Sequence, residues 1–137
     1  MREILFRGKR IDNGEWTEGG YKHEKAGEYF TAVFIIEHLM REVWENHRVD
    51  PSTLGQYTGL TDKKGRKIFE GDIVKAPFCG KKLHTFIIRF VEGGFFAVPT
   101  DHEIDKYRLW KFHIATENQN MKVIGNIHDN PELLKED

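Results

Sequence analysis

Apolar and polar residues alternate along the first third of the chain, and this pattern predicts β-strands. Ile4 to Phe6 and Trp16 to Tyr21 are predicted strands joined by a turn at Asn13-Gly14, because Asn-Gly favours the positive φ angles of a two-residue hairpin. The polar stretch His23 to Glu28 is predicted to be a loop. Tyr29 to Ile36 is rich in β-branched and aromatic residues, which predicts a third, largely buried strand.

The following segment, 36–47, has a different periodicity. Its large residues recur at helical spacing and would line one face of a short helix: Ile36, Leu39, Met40, Val43, Trp44 and His47. By pattern alone, a helix is expected. In either conformation, such a Met and aromatic stripe is typical of a core or a subunit interface rather than of a ligand groove.

Turn-forming residues are concentrated in the middle of the chain. Asp50 before Pro51 predicts an N-cap and the first position of a short helical turn that covers 52–54. A strand through Tyr57 and Leu60 should follow, and the polar run 61–67 is predicted to be a hairpin loop in which Gly65 supplies a positive φ.

A second tight turn is predicted at Glu70-Gly71-Asp72. Gly71 avoids the Cβ penalty of a left-handed backbone, and the Asp72 carboxylate can accept backbone N–H bonds. Substitution at Gly71 is therefore expected to matter more than substitution of a nearby lysine.

Short strands are predicted to continue to the end of the chain. They cover 73–76, 84–92, 95–98, the alternating residues Tyr107 to Phe112, and the closing segment 121–127, with a hairpin turn at Gly93-Gly94 and a last helical turn at 130–134 that Asp129 caps. Strands of this length and number suit a small barrel, which leaves few exposed edges.

Three separated motifs carry a resemblance to a known family. They are REILFRG at 2–8 with Gly14 and Trp16, VDPSTLGQYTGL at 49–60 with EGDIV at 70–74, and IGNIHDNP at 124–131. In this order they closely resemble the YopX family of phage and prophage proteins. The resemblance implies a mainly β protein with an SH3-like barrel in its C-terminal part. Together with the strand pattern and the chain length, this predicts an N-terminal β elaboration over 1–50 and a barrel over 51–137 in one compact folding unit, with at most one or two short helices. The resemblance also implies an extended 36–47 segment, so helix and extended chain both stay open there.

The resemblance implies no established activity and therefore supplies no catalytic, cofactor-binding or metal-binding residue. It favours an accessory protein of a temperate phage that acts through a protein partner or self-assembly. No cofactor is expected, and an enzyme is not favoured.

Composition narrows the function classes further. The 137 residues include 21 basic and 22 acidic side chains, for a net charge of −1, so no global basic field indicates nucleic acid. The single Cys79 excludes an intramolecular disulfide, and the charged residues within 1–8 indicate neither a signal peptide nor a membrane span. A bacterial cytoplasmic location without membrane contact is expected.

Candidate chemistry is sparse in the sequence. The seven histidines show no HxH or HExxH spacing, so no metal site is predicted. Asp101-His102-Glu103 sets an imidazole between carboxylates, and a hydrolase would require His102 or His128 to meet an acid in a pocket. Lys81 and Lys82 lie near Cys79, although a free thiol without a special role is the simpler interpretation.

The alternative function is nucleic-acid binding by a basic loop. Lys63, Lys64, Arg66 and Lys67 form the strongest local positive cluster, with Tyr57 and Phe69 nearby, and small barrels often combine such a loop with exposed aromatic residues. A solvated hairpin tip is the simpler interpretation, because Asp62 and Glu70 bracket the cluster.

Overall fold

The computed structural model describes residues 3–28, 30–77, 80–100 and 112–135, which form a mainly β protein with two antiparallel sheets. Within these ranges there is no α-helix. Short 3-10 helices occur at Pro51–Thr53, Ile114–Thr116, Asn118–Asn120 and Pro131–Lys135. The strands are β1 (Phe6–Lys9), β2 (Trp16–Ala26), β3 (Phe30–Met40), β4 (Val43–Val49), β5 (Gly55–Thr61), β6 (Lys67–Phe69), β7 (Asp72–Pro77), β8 (Leu83–Val91), β9 (Gly94–Pro99), β10 (Phe112–His113) and β11 (Lys122–Asn126).

The chain divides into two compact units, Met1–Tyr57 and Thr58–Asp137. The division falls within β5, slightly after the boundary at 50 and 51 that the sequence suggested. Each unit has its own apolar cluster.

The N-terminal unit is built from antiparallel strands in the order β4-β3-β2-β1, with the start of β5 pairing to β1. The predicted first hairpin is present, but its first strand is Phe6–Lys9 rather than Ile4 to Phe6. Its turn is longer than the predicted Asn13-Gly14 pair, because Lys9 pairs with Trp16 and only Gly14, at +72°, has a positive φ there. The predicted loop at His23 to Glu28 is wrong, because β2 continues to Ala26 and the chain turns at Gly27. Polar residues suit this strand because most of them are exposed there.

The predicted third strand exists as β3, but it is longer and less buried than expected. Val33 and Ile35 pack with Val49, and the half-buried Phe6 and Leu54 complete this small core. Phe30, in contrast, is exposed. An aromatic, β-branched run therefore predicted the strand correctly but did not predict which side chains face solvent.

The helix that the spacing over 36–47 allowed does not form. Ile36 pairs with Asn46 and His38 pairs with Trp44, so this segment is the antiparallel hairpin of β3 and β4. Glu42 makes the turn with a φ of +58°. The extended alternative was the correct one, since ladder hydrogen bonds between the strands replace those of a helix.

Asp50 caps the 3-10 helix that follows β4. Its Oδ1 accepts hydrogen bonds from the backbone N–H of Ser52, at 3.0 Å, and from the Ser52 hydroxyl, at 2.8 Å. Thr53 Oγ1 accepts the Lys9 backbone N–H at 2.9 Å. The Asp-Pro turn thereby fixes the chain between β4 and β5.

The C-terminal unit contains a five-stranded antiparallel sheet in the order β10-β9-β8-β7-β11. Its core is a single cluster of fully or nearly buried residues: Ile68, Val74, Ala76, Phe86, Ile88, Ala97, Ile114, Met121 and Val123. Glu92 and Gly93, not Gly93-Gly94, make the β8–β9 turn, because Val91 pairs with Gly94 and both turn residues have positive φ. The described strands show no pairing that closes this sheet into a barrel.

Asp62 ties the loop after β5 to β11. Its side chain is buried, and its Oδ1 accepts the backbone N–H groups of Lys64 and Arg66 at 2.9 Å each. Its Oδ2 accepts the Val123 N–H at 2.9 Å. Burial raises the pKa of the Asp62 carboxyl, but the hydrogen bonds from Val123, Arg66 and Lys64 lower it more, so the pKa lies below its ordinary value of 3.8.

The turn at Gly71-Asp72 has a similar construction. Gly71 takes a φ of +90°; its N–H donates to the Ile88 carbonyl at 2.8 Å, and its carbonyl accepts the Ile127 N–H at 2.9 Å. The buried Asp72 Oδ2 accepts the Phe69 N–H at 2.8 Å. A left-handed glycine and a buried carboxylate therefore hold the start of β7.

The motif at 124–131 is a side-chain-bonded turn. Asn126 Oδ1 accepts the backbone N–H groups of His128 and Asp129, at 3.0 and 2.9 Å. Asn130 Oδ1 accepts the Asn126 N–H at 3.2 Å, and a Cβ added at Gly125 would clash with the Asn130 side chain. The glycine and both asparagines are thus required by the backbone geometry.

Replacement of Gly71 by valine is expected to destabilise the protein by about 2 to 3 kcal/mol, because a β-branched residue is strained at positive φ. Lys64→Ala is the matched control in the neighbouring loop, and we expect it to change the free energy of unfolding by less than about 0.5 kcal/mol. Urea unfolding of both variants measures this difference. Equal midpoints for the two variants would contradict the turn assignment.

Asp62→Asn is expected to destabilise the protein by about 2 to 4 kcal/mol at neutral pH, because the amide nitrogen cannot accept the N–H bonds that the carboxylate accepts. Since the folded pKa is lowered, the stabilisation by Asp62 is complete above the unfolded pKa of 3.8 and is lost as the pH falls through the folded pKa. Urea unfolding at neutral pH and at about pH 3 tests this. The difference in the free energy of unfolding between the wild type and Asp62→Asn should be smaller at the acidic pH.

Asp12→Asn is the control for this pH dependence. Hydrogen bonding to Arg10 also lowers the Asp12 pKa, but this side chain is 65% exposed, so its removal should have little effect at either pH. If Asp62→Asn lowered the free energy of unfolding by the same amount at both pH values, the ionised carboxylate would not be the stabilising group.

Candidate functional site on the β3–β4 hairpin

The end of the β3–β4 hairpin exposes a cluster of large apolar side chains, which we call the hairpin tip: Leu39, Met40, Val43 and Trp44. These four side chains are between 42% and 65% exposed. The His38 imidazole stacks on the Trp44 indole, with 4.1 Å between ring centroids and 25° between planes. This contact orients the indole but leaves it largely in solvent.

The hairpin tip also lies on an edge of its sheet. β4 is the terminal strand of the order within the N-terminal unit, with β3 on its inner side. Near its end, Val49 forms an isolated bridge to Arg10, and the Ile11 N–H donates to the Arg48 carbonyl at 3.0 Å. The available edge is therefore the first part of β4, next to the exposed indole.

The same hairpin also brings together three side chains that can bind a metal ion. Glu37 pairs directly with Glu45, and His47 lies two residues further along β4. His47 Nε2 is 3.7 Å from a Glu37 carboxylate oxygen and 4.0 Å from a Glu45 carboxylate oxygen. The His47 side chain is only 5% exposed, whereas both glutamates reach solvent.

Sequence reasoning did not find this cluster. The spacing of histidines and cysteines along the chain does not reveal it, because Glu37 comes from the neighbouring strand. The signal in the sequence was Glu45-x-His47, because residues two apart on a strand share a face. That signal has meaning only once 36–47 is known to be a hairpin.

A groove of about 450 Å³ lies near the first hairpin and the 3-10 helix, lined in part by Arg10, Ile11, Asp50 and Pro51. Arg10 makes two hydrogen bonds with Asp12, at 2.6 and 2.9 Å. Asp50 already accepts the capping bonds from Ser52. The Arg10 and Asp50 side chains of this groove therefore already make hydrogen bonds within the turns that they belong to.

The structure places the predicted basic loop at the surface. Lys63, Lys64 and Arg66 are exposed, and Lys67 is half-buried. The two aromatic residues beside the loop are buried, with Tyr57 at 7% and Phe69 at 3% exposure. The expected platform for base stacking is therefore not available from them.

Two predicted chemical features lie outside the described residues. These are the Cys79 thiol and the Asp101-His102-Glu103 group. His128 lies in the turn that Asn126 organises, where its backbone N–H donates to the Asn126 side chain. The convergence of His102 or His128 with an acid stays an expectation.

Comparisons with known proteins identify relatives but name no activity. The family profile described as "YopX protein" matches residues 5–135. The chain is similar to the crystal structure of protein EF1440 from Enterococcus faecalis, at 25% identity and a TM-score of 0.54, over 98% of this chain and 100% of that one. No curated protein matches. Among the described residues, no helix has the length and apolar character to cross a membrane. Because the family match covers nearly the whole sequence, the chain belongs to the YopX family.

Proposed function

We propose that this protein is a non-enzymatic self-assembly and interaction module of a phage or prophage, acting in the cytoplasm of the bacterial host. The observation that carries the proposal is the hairpin tip, where four large apolar side chains are exposed together. Single exposed apolar residues are common, but clusters of them mark contact surfaces. The phage or prophage origin is supported by the resemblance of the three motifs to the YopX family.

The occupant that we propose for the hairpin tip is a second copy of this chain. β4 is an edge strand that carries backbone hydrogen-bonding groups beside the exposed Trp44. An edge strand can add a strand from a partner, and two identical edges can pair about a two-fold axis. Exposed Trp and Met side chains are the types that interfaces favour.

The SH3-like barrel over 51–137 is part of the proposal. It is supported by the antiparallel succession of β7, β8 and β9 and by the return of β11 to β7. In this proposal the barrel serves as a stable base, and the assembly contacts come from the N-terminal unit.

Replacement of Trp44 or Met40 by serine is expected to weaken self-association at least about tenfold, because it removes the main apolar area of the contact. Sedimentation velocity over a range of protein concentrations measures the monomer–dimer equilibrium. Phe30→Ser is the matched control: Phe30 is 71% exposed but lies at the other end of β3, and its replacement should leave the equilibrium unchanged.

Two results would contradict this proposal. One is a wild-type protein that sediments as a monomer at every concentration, and the other is a Phe30→Ser variant as impaired as Trp44→Ser. A monomeric wild type that binds another phage protein through Trp44 would keep the interaction surface but replace the second copy as its occupant.

Nucleic-acid binding by the basic loop is the alternative function, and the exposure of Lys63, Lys64 and Arg66 favours it. The backbone of the loop is held by Asp62, so the side chains would meet phosphates from a fixed position. Reversal of all four charges, including Lys67, should lower affinity for single-stranded DNA and reduce its salt dependence.

Fluorescence anisotropy at two salt concentrations tests this alternative. The control is a variant in which Lys22 and Lys25 of β2 are reversed, since it changes surface charge outside the loop. If the quadruple variant bound DNA as tightly as the wild type, the basic loop would be dismissed as a contact site.

A further inference from the structure

We propose that Glu37, Glu45 and His47 form a binding site for a divalent transition-metal ion such as Zn²⁺. One ligand atom from each residue can be chosen so that all three lie within 4.8 Å of one another. Two carboxylates and an imidazole are a mixed oxygen and nitrogen donor set, which Zn²⁺ and its neighbours accept and which Mg²⁺ and Ca²⁺ seldom use.

The buried imidazole is the first independent observation that indicates a ligand. The His47 side chain is 95% buried, and its Nε2 points between the two carboxylates. The distances of 3.7 and 4.0 Å are too long for hydrogen bonds, and the described residues give this imidazole no other hydrogen bond. A cation coordinated by Nε2 would give this ring a partner that the described residues do not supply.

The strand register is the second observation. Glu37 and Glu45 are direct cross-strand partners, and like charges in that position repel each other. A divalent cation between the two carboxylates would remove this repulsion and satisfy the imidazole at the same time. Arg10 lies close enough to Glu45 to interact with it electrostatically, but the hydrogen bonds of its guanidinium go to Asp12, and among the described residues no salt bridge joins either glutamate to a lysine or arginine.

The geometry needs only a small adjustment to bind Zn²⁺. Tetrahedral coordination with Zn–N and Zn–O bonds of about 2.0 to 2.2 Å places ligand atoms roughly 3.4 Å apart. The present separations of 3.7 and 4.0 Å are slightly longer, and the glutamate side chains, which are 40% and 52% exposed, can rotate to close them. His47 is held by burial, so it supplies the fixed ligand, and water can complete the coordination.

This site can be separated from the Trp44 contact of the proposed assembly surface, although Val43 of the hairpin tip shares a strand face with Glu45. Trp44 precedes Glu45 on β4 and therefore projects from the other face of the strand. A Trp44→Ser variant should keep the metal site and lose self-association, whereas a glutamate variant should do the reverse. Failure of one proposal can therefore be distinguished from failure of the other.

Isothermal titration calorimetry of the untagged full-length protein with Zn²⁺ tests the site. We expect one Zn²⁺ per chain, and we expect Glu37→Gln and Glu45→Gln to weaken binding by at least about tenfold each. Glu28→Gln is the matched control, since Glu28 is an exposed carboxylate at the β2–β3 turn. His47→Gln should abolish binding, but the two glutamate variants test the site even if loss of the buried ring impairs folding.

A second measurement locates the ion. Zn²⁺ should shift the imidazole nitrogen resonances of His47 in nuclear magnetic resonance spectra and leave those of the exposed His23 unchanged. Absence of Zn²⁺ binding, equal affinity of the glutamate variants and the wild type, or shifts at other histidines in place of His47 would each overturn the proposal and leave the three side chains as an ion-pair cluster only.

Discussion

The Asp62 carboxylate is the interaction on which the C-terminal unit most depends. It accepts backbone N–H groups from its own loop, at Lys64 and Arg66, and from Val123, which is distant in sequence. The same loop is bound a second time, because the Lys63 N–H donates to the Met121 carbonyl. A buried charge is tolerated there because backbone donors replace its hydration. The contact fixes the position of β11 relative to the β5–β6 loop.

Residues of the motifs that resemble the YopX family also stabilise turns through hydrogen bonds to the backbone. Asp50, Asp72 and Asn126 each accept backbone N–H groups at a turn, and Gly71 supplies a left-handed backbone that other residues adopt with strain. Few residue types can replace them, because each turn requires either a side-chain oxygen that accepts a backbone N–H or a residue without a Cβ. In this chain the motif residues therefore stabilise turns, and membership of the YopX family does not by itself specify a reaction.

The sequence predicted these turns well because their causes are local. Asp50-Pro51, Gly65 and Gly71 act through their own backbone angles and through N–H groups within a few residues. The partner of Asp62 on β11 was beyond such reasoning, since nothing in the loop specifies which strand returns to it. The β8–β9 turn was misplaced by one residue because Glu92, which adopts a positive φ in the structure, is not a residue that the pattern favours there.

The segment 36–47 shows why a local pattern can mislead. Ile36, Leu39, Met40, Val43 and Trp44 recur at helical spacing, yet most of them are not buried in any core and therefore impose no period. Apolar periodicity predicts structure only where burial enforces it. The exposed apolar residues of this hairpin instead indicate a contact surface, and for this reason the proposed self-association is assigned to it.

The stability of the fold and its candidate chemistry are located in different places. The buried carboxylates of Asp62 and Asp72 have their acceptor capacity used by backbone N–H groups, so they are poor candidates for binding a ligand. Glu37, Glu45 and His47 are different: the strand register brings them together, and the described part of the chain gives the His47 imidazole no hydrogen bond. Polar groups that the fold does not use for its own hydrogen bonds are the ones available for function. On that criterion the β3–β4 hairpin, rather than the turns held by Asp62, Asp72 and Asn126, is where the activity of this protein is to be sought.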